Sequence, residues 1–122
     1  MDDQNPRSLL VEDDGLIRMD LAIMLEEMGY SLTEASSADQ ALDLLNESTG
    51  FELLVTDIDM PGAMNGLALA IAVRDRLPQC QILIVSGGRP PRPDEMPAGS
   101  RFLPKPVTSS ALEETIRALN AA

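Results

Sequence analysis

At 122 residues the chain has the length of one domain, and with 44% hydrophobic residues it can bury a core, so disorder is expected only at its ends. A formal net charge of −11 excludes the basic footprint that nucleic-acid binding needs; it also repels an acidic membrane surface and attracts a basic partner patch or a cation. The absence of histidine removes Ser–His and Cys–His catalysis, His-based zinc sites and any phosphohistidine on the chain itself, and a single cysteine excludes an internal disulfide.

The start, MDDQNPRS, is polar and acidic and has no signal-peptide character. After the turn-like Asn5-Pro6, Leu9–Glu12 is the first strand. Ile17, Leu21, Met24, Leu25 and Met28 then recur at helical spacing, with Asp13 or Asp14 as cap and Gly29 as stop. Ser31–Ala35 reads as a second strand, and Ala38, Ala41, Leu42 and Leu45 as a second amphipathic helix. Phe51–Thr56 is the third strand, and Leu67–Leu77 the third helix, stopped by Pro78. Gln81–Val85 is the fourth strand. Cys80, at the head of this apolar run, reads as a small core residue in a reducing compartment.

Ser86–Ser100, SGGRPPRPDEMPAGS, breaks the rhythm. Pro90, Pro91, Pro93 and Pro97 forbid a full fourth helix, because proline lacks the amide donor and clashes with the preceding turn. At most one turn around Asp94–Met96 survives. RPPRP, Arg89–Pro93, admits a polyproline-II ligand reading beside the plainer one of a stiff loop. Arg101–Leu103 is a short fifth strand. Leu112, Ile116 and Leu119 mark a last helix, capped by Thr108 or Ser109 and followed only by Ala121 and Ala122, which leaves no output domain. No apolar run has membrane-spanning length, so a soluble, cytoplasmic protein is expected.

Alternating strands and helices imply a parallel sheet covered on both faces, and right-handed crossovers make it a doubly wound α/β fold. In such sheets ligands bind at the carboxyl ends of the strands. The polar residues collect there: Glu12, Asp13 and Asp14 after the first strand, Asp57 after the third, Ser86 after the fourth and Lys105 after the fifth. Taken singly they are ordinary. VEDD can be a helix cap, Ser86 a turn residue and Lys105 a solvated charge. Taken jointly, Glu12, Asp13 and Asp57 place three negative charges against one lysine, a cluster that calls for a cation. Oxygen-only ligands favour a hard ion, Mg²⁺ first. A carboxylate beside Mg²⁺, a lysine and a hydroxyl has the makings of a phosphoryl acceptor.

The motifs LLVEDD (Leu9–Asp14), TDIDMPG (Thr56–Gly62), NGL (Asn65–Leu67), ILIVSG (Ile82–Gly87) and FLPKP (Phe102–Pro106) together resemble the receiver domain of two-component response regulators, over nearly the whole chain. That resemblance implies a flavodoxin-like five-stranded parallel sheet. It implies that Asp57 accepts a phosphoryl group from a phosphohistidine on a sensor histidine kinase or histidine phosphotransfer protein. Glu12 and Asp13, with Asp57 and the backbone carbonyl of Asp59, would hold Mg²⁺. Ser86 would move toward the phosphoryl group, Lys105 would pair with it, Phe102 would be the switch aromatic, and Lys105–Pro106 would be cis.

This chain departs from the family in four places. Ser86 stands for the commoner threonine, the MPGAMNGL loop is one residue longer, Gly88 offers no side chain to orient water, and the fourth helix is short or missing. The last departure leaves the dimerisation face, and with it the oligomeric state, open. The module fits a stand-alone shuttle, sink or switch, and equally the receiver of a hybrid histidine kinase. Two other readings compete. One is a haloacid-dehalogenase-like phosphatase using Asp57-Ile-Asp59, although that family carries its DxD after the first strand. The other is a pseudo-receiver that binds partners without phosphorylation. Flavin binding is disfavoured by an aromatic content of 2%.

Overall fold

The computed structural model describes residues 5–48 and 50–121; the acidic start over residues 1–4 and the final Ala122 fall outside it. The chain runs β1 (Arg7–Val11), α1 (Gly15–Glu27), β2 (Ser31–Ala35), α2 (Ala38–Glu47), β3 (Leu53–Asp57), α3 (Gly66–Arg76), β4 (Gln81–Ser86), β5 (Arg101–Pro104) and α4 (Ser109–Ala121). The five strands form one parallel sheet in the order β2-β1-β3-β4-β5. This is the doubly wound fold expected, with four helices.

Strand alternation sorts the core into two layers. Leu9, Val11, Leu54, Ile82 and Ile84 pack on one face with Ala38, Ala41 and Leu45 of α2 and Leu69, Ala70 and Val73 of α3. Leu10, Leu53, Val55, Leu83 and Val85 pack on the other with Leu21 and Leu25 of α1 and Leu112, Ile116 and Leu119 of α4. Each fully buried leucine contributes roughly 2 kcal/mol of transfer free energy.

Helix ends follow local chemistry. Asp14, and not Asp13, caps α1: its Oδ1 accepts from the amides of Leu16 at 2.9 Å and Ile17 at 3.1 Å. At the other end Gly29 has φ +98°, and the amides of Gly29 and Tyr30 donate back to the carbonyls of Glu26 and Leu25. Asn65 caps α3 and Thr108 caps α4. α3 stops at Arg76 because Leu77 precedes Pro78 and takes a non-helical backbone (φ −127°, ψ 77°).

Several boundaries shift by one residue from the sequence reading (β3 ends at Asp57, α3 runs Gly66–Arg76, β4 ends at Ser86 and β5 at Pro104), and three further differences bear on the packing. β1 begins at Arg7 and ends at Val11, so Glu12 lies past the strand. Phe51 belongs to no strand; it is buried beneath the Arg7 guanidinium, 4.7 Å from ring centroid to Cζ. The single turn in the proline-rich connection is a 3-10 turn over Pro93–Glu95, one residue earlier than expected, because proline at its first position already has the required φ. Among the described residues no helix is long and apolar enough to cross a membrane.

Cys80 is 3% exposed, and burial pushes its thiol up to about 11. At pH 8 its alkylation by iodoacetamide is expected to be about a hundredfold slower in the folded protein than in urea, as measured by mass spectrometry.

Candidate functional site

The chain leaves β1 toward β2 on one side and returns through β3 on the other, so the crevice of the sheet opens between the exits of β1 and β3. Leu10 pairs with Val55 in register, and alternation carries that row on to Glu12 and Asp57. Both therefore project toward the α1/α4 side. On β5, Leu103 packs into the same layer and Lys105 continues its row.

The result is a buried ion cluster. Glu12 is 1% and Asp57 5% exposed. Lys105 Nζ lies 2.6 Å from Glu12 Oε1 and 3.2 Å from Asp57 Oδ2. Asp57 Oδ1 accepts from the Ile58 amide at 2.8 Å, and Glu12 Oε2 from the Asp14 amide at 3.1 Å. Asp13, freed from capping, sits exposed at the mouth, and Glu12, Asp13 and Asp57 each bring a carboxylate oxygen within 4.8 Å of the others. Burial raises the Glu12 carboxyl above its ordinary value, against the pull of Lys105 and the Asp14 amide. For Lys105 burial acts downward, but the Glu12 and Asp57 carboxylates outweigh it and hold the ammonium above its usual value, so it is charged at neutral pH.

The other sequence-derived candidates lie around this cluster. Ser86 ends β4 on the opposite, α2/α3 row; its Oγ accepts from the Gly88 amide at 3.1 Å, and its carbonyl accepts from the Lys105 amide at 2.9 Å. Phe102 pairs in register with Ile84 and packs on that same α2/α3 side. It shares a face with Ser86 and stands apart from the carboxylates. Asp59 is exposed at the rim. The Lys105–Pro106 bond is cis.

Two residues escaped the sequence reading. Arg18 donates from Nη1 to the Glu12 carbonyl at 2.8 Å and from Nε to Glu34 at 3.2 Å, which ties the β1 exit to α1 and β2. Gly66, quoted only as part of NGL, lies where a Cβ would overlap the carbonyl oxygen of Asp57, while its amide donates to the Ile58 carbonyl at 2.9 Å. The only sequence signal was a glycine at the start of a helix, where an N-terminal turn alone does not call for one.

A doubly wound parallel sheet with a carboxylate–lysine cluster at its switch point defines an α/β module with its binding crevice at the exits of β1 and β3. Residues 9–117 match the family model of the response regulator receiver domain, and the chain belongs to that family, a component of two-component signalling. It is 34% identical over 113 residues to a sensor kinase, CckA, of Brucella abortus, covering 89% of this chain and 12% of the kinase. Against a chemotaxis protein, CheY, of Pseudomonas aeruginosa, identity is 35% over 114 residues, 88% of this chain and 90% of that protein. The crystal structure of a receiver domain from the hybrid histidine kinase CckA superposes with a TM-score of 0.78 at 31% identity, covering 93% of this chain and 97% of that one.

Gly66→Ala is expected to lower unfolding stability by about 2 kcal/mol or more, because either Asp57 or the start of α3 must move. Gly88→Ala, whose Cβ would meet only Asp59 Oδ2 at 3.6 Å and Ser86 Oγ at 3.8 Å, is expected to leave stability nearly unchanged in the same denaturant titration.

Proposed function

We propose that the chain is a phosphoacceptor in a phosphorelay, taking a phosphoryl group from a phosphohistidine of a partner histidine kinase or phosphotransfer protein onto Asp57. The observation that carries this reading is the placement of Asp57: it is the last residue of the central strand, buried, with one oxygen held by the Ile58 amide and the other facing Lys105.

The residues present fit a divalent cation. Three carboxylates face one lysine, every donor is oxygen, and Glu12 Oε1 is buried with no partner except the Lys105 ammonium. Glu12, Asp13, Asp57 and the backbone carbonyl of Asp59 would hold Mg²⁺. When bound it would supply charge neutralisation for the phosphoryl oxygens.

In the transfer, an Asp57 carboxylate oxygen forms the bond to phosphorus as the phosphorus–nitrogen bond of the donor breaks, and the electron pair returns to the imidazole ring. Lys105, already charged and 3.2 Å from Asp57 Oδ2, pairs with the incoming oxygens. Ser86 Oγ uses a lone pair on the Gly88 amide, so its own proton is free for donation once the hydroxyl turns inward. Leu16, Met19 and Ile23, respectively 79%, 59% and 49% exposed at helical spacing on α1, supply an apolar strip next to the mouth on which a donor protein can dock. The switching of protein–protein contacts by phosphorylation belongs to the same proposal, as does the view that residues 1–122 form one receiver module.

With Mg²⁺ and acetyl phosphate, intact-mass measurement is expected to show one added phosphoryl group on the wild type and none on Asp57→Asn. Equal uptake by Asp57→Asn sinks the assignment, and repeated turnover of a generic phosphate ester would favour the phosphatase reading instead.

A further inference from the structure

We infer that Arg89 and the cleft it borders form a subsite for the leaving group of a small acyl-phosphate donor, an inference that rests on Asp57 being the phosphoacceptor. The cleft, about 230 Å³, is walled by Ile58, Leu67, Pro90 and Pro91, with Asp59 and Arg89 among its polar edges. It lies at the exit of β3. Ile58 and Asp59 follow Asp57 in the chain, and Gly88 precedes Arg89 at the point where a Cβ would reach both Asp59 and Ser86. A glycine there adds no side chain beside Asp59 and Ser86.

Arg89 is available for a ligand. Among the described residues it makes no ion pair, although Asp59 and Glu95 line the same cleft. One Glu95 oxygen is already engaged by the Arg92 amide at 2.8 Å. Two consecutive prolines follow Arg89 and restrict its backbone, so the stem of the side chain starts from a fixed position. The same prolines keep this connection from winding into a helix after β4.

The chemistry gives the cation a task. As an Asp57 oxygen bonds to phosphorus, the bond from phosphorus to the acyl oxygen breaks, and the electron pair departs on that oxygen. The leaving group is a carboxylate, released without a proton, and a guanidinium pairs with a carboxylate through two parallel hydrogen bonds. The apolar walls accommodate the acyl carbon. A phosphoramidate donor differs at this one point: its nitrogen takes up a proton and leaves as a neutral amine or ammonia, which gains nothing from a guanidinium. Arg89 thus discriminates between donors by the charge of what departs.

The test compares phosphorylation rates with acetyl phosphate and with phosphoramidate at one Mg²⁺ concentration, read by intact mass, for the wild type, Arg89→Ala and Arg89→Lys. Arg89→Ala is expected to slow the acetyl phosphate reaction about fivefold, while phosphoramidate stays within about twofold of wild type. Arg89→Lys, which keeps the charge and loses the fork, is expected to fall between. An equal loss with both donors, or no loss with either, overturns the subsite. If the wild type accepts a phosphoryl group from neither donor, the acceptor reading fails first and the subsite falls with it.

Discussion

One ammonium group holds the polar end of this molecule together. Lys105 is the only lysine in the chain, and its Nζ reaches both Glu12 and Asp57, two buried carboxylates that would otherwise face each other across the crevice. Buried charges of like sign are tolerated only with such compensation. The exits of β1, β3 and β5 are thereby tied at one point, and the position of each remaining group can be stated relative to it.

The sheet delivers these groups by parity. Leu10, Leu53, Val55 and Leu103 pack toward α1 and α4, and the same rows, extended past the strand ends, become Glu12, Asp57 and Lys105. Ser86 and Phe102 continue rows that face α2 and α3, beside the proline-rich connection. The two sides of the sheet therefore carry different groups, with the carboxylates and Lys105 on one and Ser86 and Phe102 on the other. The connection between β4 and β5 lies on the Ser86 and Phe102 side, where a short 3-10 turn and open clefts stand in place of a packed helix.

Much of this was legible in the sequence because the constraints are local or covalent. Four prolines between Pro90 and Pro97 rule out a helix whatever the tertiary context. The apolar runs ending in Asp57 and Ser86 fix a strand and its exit together. What stayed hidden depends on contacts between distant segments. Asp13 and Asp14 are equally able to cap a helix, and only the backbone path out of β1 assigns the cap to Asp14 and leaves Asp13 at the mouth. Phe51 extends an apolar run, and its position under Arg7 is invisible to periodicity. Gly66 is set by the Asp57 carbonyl, which local sequence does not reveal.

Under the proposed function the pocket is a carboxylate cluster whose excess negative charge is offset by one lysine and a bound cation. The most direct measurement is the thermal unfolding midpoint of the wild type and Lys105→Met, each with and without millimolar Mg²⁺. Lys105→Met is expected to unfold at a lower temperature than wild type without metal, since two buried carboxylates lose their partner, and to gain more from Mg²⁺ than the wild type does. Equal midpoints without metal, or Mg²⁺ that moves neither protein, would contradict it.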